Sequence, residues 1–407
     1  MKQKKNISRI ILIIIISLVI LNGCWDRREL DNLAIVQALG FDLAPDQRHV
    51  MISVMIAIPS QISGGQSGGG NGPNVLVVTK EAPSIYEAFN VINTSLNREI
   101  TLLQNQVIIF GEKLAKQGVQ DWVDHLLRYR EMRRTLLIFV SKDPILEIMT
   151  INPKLEKSPA EYFTDLARLS EKNGMSPEII LNQFINSYES SVQESVAPVI
   201  GLTSATTAKS TSSDSNSGGK PEKVEKEIST VGTAVFKQDR LVGYLDNYET
   251  QTFQMITSHF KEAMLTTKDP LDKNGKISFR LSAGGPTKIR YHVQAGQEFF
   301  TVTINQEADL ISIQSKIDYT KPIYEDRLGK YIAAQLKRRV EKLLNKAQND
   351  YQADIFGFGI KVRNTMLTTT DWQKYDWPKH FPNAKIKVKV NVSIRRVGVQ
   401  LRPPDPS

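Results

Sequence analysis

The residue whose immediate neighbours define a chemistry is Cys24, the only cysteine among 407 residues. It closes Leu21-Asn22-Gly23-Cys24, where an apolar run gives way to Trp25-Asp26-Arg27-Arg28. A small residue before a cysteine at the end of such a run resembles a bacterial lipobox, with Leu21, Asn22 and Gly23 as its other members. The thiol is the nucleophile that accepts a diacylglycerol as a thioether. Slim Gly23 lets a peptidase reach the bond ahead of the modified cysteine. Cys24 is therefore the expected site of diacylglyceryl and N-acyl attachment, and this covalent lipid is the only cofactor expected. A buried structural cysteine is the alternative; with no second cysteine, no internal disulfide can form.

No other residues show the spacing of a catalytic or metal centre. His49, His125, His259, His292 and His380 are scattered, with no HExxH and no cysteine partner. A zinc site would need distant residues brought together by the fold. There is no G-x-S-x-G elbow and no Ser-x-x-Lys set, and Asp309, Asp318 and Asp354 belong to separate elements. The run "SGGQSGGGNGPN" lacks the Lys-Ser/Thr of a phosphate-binding loop. In "ADIFGFG", Gly357 and Gly359 are expected to end a helix or allow close packing. Trp372, Tyr375, Trp377 and Phe381 are expected to pack a domain edge, a binding patch being the alternative.

The segment before Cys24 reads as an export signal. Lys2, Lys4, Lys5 and Arg9 precede the apolar run Ile10 to Leu21. A spanning helix needs roughly 20 apolar residues and a signal about 7–15, so the run fits a signal; a short uncleaved anchor is the alternative. The chain carries +9, and without the four basic residues of this segment 48 basic stand against 43 acidic residues, or +5. No basic motif with aromatic spacing accompanies that charge, which argues against nucleic acid as a partner.

The elements that would position these residues follow from periodicity. Val50, Ile52, Val54, Ile56 and Ile58 alternate as in a strand, with "NVLVVTK" as its return across the glycine-rich loop. Ser84 with Glu87, and Ser158 with Glu161, make capping boxes; Ile85, Phe89, Ile92 and Leu96 stripe one helix face. "QVIIF" and "RTLLIFVS" are buried strands flanking a helix around Trp122 to Leu127. Ser176-Pro177 is expected to open another helix. Residues 203–227, almost without large apolar side chains, read as a flexible linker or long loop. Beyond them, "VGTAVFKQDRLVGYLD" forms two strands about Lys237 to Arg240, followed by a helix from about Glu249 to Leu265. Four strand-like runs precede a long helix with the stripe Leu328, Ile332, Leu336, Val340 and Leu344; Arg338, Arg339 and Lys342 make a basic face on it. The last strand alternates Ile386, Val388, Val390, Val392 and Ile394 with Lys385, Lys387, Lys389, Asn391 and Ser393, as in an antiparallel sheet covered on one side. The expected fold is α+β and multi-domain, with mixed and antiparallel sheets, packed helices and no repeating order. Its parts are a signal (1–23), an N-terminal α+β region (24–202), the linker or loop (203–227), a C-terminal α+β domain (228–400) and a tail (401–407).

Taken together, "GCWDRREL", "LAIVQALGFD", "GTAVFKQDRLVGYL", "ADIFGFG", the Trp372/Trp377 segment and "VKVNVSIRRVG" resemble the Ger(x)C spore-germination lipoproteins, with gaps, from Cys24 to about Gly398. The resemblance implies the C subunit of a nutrient germinant receptor, lipid-anchored to the outer face of the spore inner membrane. It implies two integral-membrane partner subunits, one of them transporter-like and binding the small-molecule germinant. It also implies a three-domain α+β structure, so that the N-terminal region would itself divide, and no catalytic residues. Cys24 is the one functional residue it carries over. The competing expectations are an exported solute-binding lipoprotein of a transporter, with two α/β lobes about a cleft, and an exported hydrolase, which would need clustered histidines in a pocket.

Overall fold

A computed structural model describes residues 32–58, 75–151, 159–204 and 226–396. Cys24 with Leu21, Asn22 and Gly23, the glycine-rich loop, Ser158 and the C-terminal tail lie outside the described residues. The large sheet has β1 (Leu33–Leu43), β2 (Val50–Ala57), β3 (Val75–Ala82), β4 (Glu99–Thr101), β5 (Val107–Gly111), β6 (Leu137–Ser141), β7 (Val196–Ser204), β8 (Lys226–Lys237) and β9 (Arg240–Leu245). Its order is β3-β2-β1-β5-β6-β7-β8-β9, with β4 beside β1. The middle strands β1, β5, β6 and β7 run parallel, and an antiparallel pair completes each side. Parallel strands need cover on both faces, and every residue of β5 and β6 is buried.

Helices supply that cover. On one face lie α1 (Ile85–Ser95), α2 (Glu112–Gln117), α3 (Gln120–Leu127) and, after the others, α6 (Leu181–Ser190). On the other lie α4 (Ile145–Thr150) and α5 (Pro159–Lys172). Ser84 caps α1 by accepting the N–H of Glu87, and Ile85, Phe89 and Ile92 turn inward as the stripe requires. Helix α6 begins later than Ser176-Pro177 suggests. The Ile179 carbonyl accepts from Ile138 and the N–H of Leu181 donates to Leu136, so this backbone extends beside β6 before it coils.

The second sheet holds β10 (Glu262–Lys268), β11 (Lys276–Ala283), β12 (Lys288–Gln294), β13 (Gln297–Ile313) and β14 (Lys385–Arg396). β11 and β12 follow one another along one side of the long strand β13, and β14 takes the other side. β14 is parallel to β13, not antiparallel, because the chain returns by a crossover through α8 (Pro322–Lys346). The inward stripe of α8, Leu328, Ile332, Leu336, Val340 and Leu344, is buried against this sheet. The helix expected from about Glu249 to Leu265 is shorter: α7 spans Asn247–Ile256, capped by a reciprocal Asp246–Glu249 box. Ser258 then takes φ 64°, which breaks the helix and frees Glu262 to Lys268 to form β10.

Of the expected linker 203–227, residues 205–225 lie outside the described residues, while its two ends belong to β7 and β8, which pair from Val196↔Val235 to Ser204↔Lys226. The large sheet thus takes strands from both sides of these residues, and the two sheets part between β9 and β10. The cores do not separate cleanly even there, since Val196, Val235 and Leu245 of the large sheet cluster with Phe279, Phe300 and Val302 of the small one. Replacing residues 205–225 by a short Gly/Ser turn should therefore leave one cooperative thermal transition. Stability should stay level or rise by about 1 kcal/mol, as a shorter loop costs less entropy to close. Loss of cooperative unfolding would contradict the hairpin.

Candidate functional site: the groove where the two sheets meet

The junction is organised by one carboxylate. Asp354 is 4% exposed, in the segment that follows α8. Its Oδ1 accepts the N–H of Phe356 at 3.1 Å and of Gly357 at 3.0 Å; its Oδ2 accepts Gly359 at 2.8 Å and the Trp377 indole Nε1–H at 2.9 Å. Burial pushes its pKa up to about 6 against the pull of these donors. Gly357 sits at φ 77°, a left-handed conformation that favours glycine. A Cβ on Gly359 would lie 2.4 Å from the Val192 carbonyl. Gly359 thus has the close-packing reason expected, whereas Gly357 is fixed by its left-handed backbone and opens α9 (Phe358–Arg363), where a helix end was the expectation. The same turn is tied to the large sheet. Asp354 O accepts from Glu194 N at 2.8 Å, Gln193 Nε2 donates to Ile355 O at 3.0 Å, and Glu194 Oε2 accepts from Gln238 N at 2.6 Å.

Above this turn lies a groove of about 910 Å³. It is lined by Phe356, Gly357 and Ile360, by Ile180, Gln183 and Ser187 of the α6 region, and by residues between Phe253 and Lys261 that include Gln254, Thr257 and Ser258. Thr287 and Ile289 close an end. Its polar groups largely hold its own walls: Thr287 donates to Met255 O at 2.6 Å, Ser258 Oγ accepts from Thr287 N at 2.9 Å, and Lys261 pairs with Glu171 at 2.6 Å. Buried Gln254 donates to Ser176 O at 3.0 Å. The result is a cleft of mixed apolar and polar lining, in the size range of small-molecule sites.

The histidines stay dispersed. His259 contacts Thr257, His125 meets Trp122, His292 stacks on Phe299, and His380 bonds Glu298 at 3.0 Å. His49, with Asp46 and Glu81, makes the cluster whose ligand atoms lie within 4.8 Å of one another. The Asp46 carboxylate is already used in the turn, accepting from Arg48 and His49, and these backbone bonds lower its pKa to about 2. The aromatic set packs an edge: Trp377 and Phe381 are fully buried, Trp372 nearly so, and Tyr375 donates to Glu298. On α8, Arg338 is exposed, Arg339 lies over Tyr248, and Lys337 pairs with Glu341. What the sequence did not disclose is the role of Asp354. Its signal is local: an aspartate followed at the second, third and fifth positions by N–H groups, two of them on glycine.

With this architecture in place, comparison decides the family. Residues 26–202 match the spore germination protein N-terminal domain, and residues 231–398 match the spore germination B3/GerAC-like C-terminal domain. The chain belongs to the GerAC family of spore germination proteins. Spore germination protein KC of Bacillus subtilis (strain 168) is 24% identical over 401 residues, covering 96% of each chain. Spore germination protein B3 of the same organism is 23% identical over 385 residues, covering 94% of this chain and 96% of that one. The crystal structure of the GerBC protein shares the fold, with a TM-score of 0.52 and 19% identity over 91% of this chain and 99% of that one. The two family domains divide near the loop between β7 and β8, whereas hydrogen bonding carries the large sheet past it to β9.

For this GerAC family member, Asp354→Asn should lower stability by about 2–4 kcal/mol, since an amide N–H₂ then faces buried donors. The measurement is denaturant unfolding. The wild-type carboxyl binds its proton more tightly folded (about 6) than unfolded (3.8), so its share of stability falls as pH rises between those values. The gap between wild type and variant should accordingly widen on acidification from pH 6.5 to 4.5.

Proposed function

We propose that this chain is a lipid-anchored, non-enzymatic subunit of a spore nutrient germinant receptor, working with two integral-membrane subunits. The observation that carries the reading is alignment along nearly the whole chain with proteins named for spore germination, both domains in order. The Leu21-Asn22-Gly23-Cys24 stretch supports the anchor. Among the described residues, no helix is long and apolar enough to cross a membrane. In this reading Cys24 is the first residue of the mature protein, on the outer face of the spore inner membrane after export. The small-molecule germinant is bound by a membrane partner, and this subunit contributes docking surfaces.

One acyl chain binds a bilayer marginally, whereas two hold a protein stably. Cys24→Ala should therefore leave the protein in the soluble fraction of disrupted spores, or as an uncleaved precursor. A variant that matures and sediments with membranes like wild type would refute the anchor. Affinity capture of the tagged wild type from spore inner membranes should bring down two integral-membrane proteins, and capture of neither would refute the partnership.

The groove supports a second reading, an exported solute-binding lipoprotein. Calorimetric titration of the isolated chain with amino acids and sugars separates the two. Tight binding without partners would favour the second; the receptor-subunit reading expects none.

A further inference from the structure

The outer face of the small sheet is basic in a way that only its register reveals. β13 alternates strictly from Gln297 to Asp309, even-numbered residues buried and odd-numbered ones half-buried. Its odd residues meet exposed side chains on both flanks. Lys288 pairs with Thr303 and Thr303 with Lys389; Arg290 with Thr301 and Thr301 with Lys387; His292 with Phe299 and Phe299 with Lys385. Directly opposed residues share a face, so two successive rows carry a basic residue at either end and the third a histidine and a lysine, with a neutral residue between in each. No acid interrupts them. Lys288, Arg290, Lys385, Lys387 and Lys389 are exposed and make no ion pair among the described residues. The acids of β13 lie outside these rows: Glu298 is buried on the opposite face, while Glu307 and Asp309 stand further along the same face, the first paired with Arg395 at 2.7 Å and the second opposite Arg280. The other face of the sheet is filled by α8 and the core, so this face is what the sheet presents outward.

We infer that this face lies against the anionic headgroups of a phospholipid bilayer. Three observations favour that occupant. The basic side chains come from three adjacent strands, so they cover a broad face and not a narrow cleft that would hold a protruding segment. Across these three rows the charge is of one sign and unpaired, which is what an anionic leaflet attracts. If Cys24 carries lipid, as proposed above, only Trp25 to Asp31 separate the anchor from the described fold. That is roughly 25 Å of fully extended chain, which keeps the body close to the headgroups. Lysines on edge strands also deter sheet-to-sheet pairing. Mixed charges would serve that purpose equally, however, and the three rows contain none.

The test uses mature chain 24–407 carrying Cys24→Ser, so that no acyl chain contributes and the outcome is independent of anchoring. Binding to phosphatidylglycerol-containing vesicles should exceed binding to pure phosphatidylcholine and be lost in 0.5 M salt. Each lysine near an anionic leaflet strengthens binding about fivefold, so Lys385→Glu with Lys387→Glu and Lys389→Glu should weaken it about 100-fold or more. The same positions changed to Gln should give a smaller loss, with unchanged melting curves showing that the fold is intact. Arg338→Glu with Lys342→Glu on α8 should bind as wild type. Equal binding to both vesicle types would overturn the inference. So would charge-reversed β14 binding like wild type, or a loss confined to capture of an acidic protein partner.

Discussion

The junction of this molecule rests on one buried carboxylate that must be satisfied where it stands. Asp354 is removed from water, and an ionised group there is tolerable only if donors replace the lost hydration. Three backbone N–H groups and the Trp377 indole do so, and the geometry that lets them converge dictates the rest. The turn must coil tightly enough for the N–H groups of residues 356, 357 and 359 to point at one side chain. That demands the left-handed Gly357 and the bare Cα of Gly359 against Val192. Trp377 must be held 23 positions away in sequence, which the short helices after α9 accomplish. Because the Asp354 carbonyl also receives Glu194, the solution to one desolvation problem fastens the small sheet to the large one.

That fastening bears on how the protein can work. A clamshell binding protein closes by hinge motion about a few linking residues. Here the link is a shared core, in which Val196, Val235 and Leu245 pack with residues of the second sheet. Further bonds cross the join, among them Lys346 to the Tyr244 carbonyl and to Glu249, and Tyr351 to the same carbonyl. Opening would break all of these together. A rigid body that offers fixed surfaces fits a subunit of a larger assembly better than a free-standing binder that closes on its ligand.

Much of the fold is legible in the sequence because burial leaves a periodic trace. The fully buried β5 and β6, the stripe of α8 and the alternation of β14 appear where periodicity places them. Where periodicity misplaces an element, the reasons differ. Ser176-Pro177 has a helix-opening composition, but β6 claims the following backbone as a neighbour, and that demand comes from residues some 40 positions earlier. α7 ends by a single left-handed serine rather than by a glycine or proline. The direction of β14 depends on the crossover and not on its own residues. For the site, the glycines of "ADIFGFG" are visible as packing residues, while the carboxylate that they serve is not. An aspartate in a loop ordinarily signals a turn open to water, and nothing nearby in sequence reports its burial.

The arrangement of charge and groove around β12 is likewise invisible in one dimension. Thr287 and Ile289 line the groove, and Lys288 between them belongs to the outer rows. Successive side chains of a strand take opposite faces, so a single extended segment separates the cleft from the basic surface. Whatever the basic face rests on consequently fixes the bearing of the groove. A lipid tether alone leaves a folded body free to rotate about it, whereas a tether combined with a charged plane removes that freedom. Where that plane is a bilayer, as proposed above, the orientation of the groove relative to it follows from the register of β12, β13 and β14.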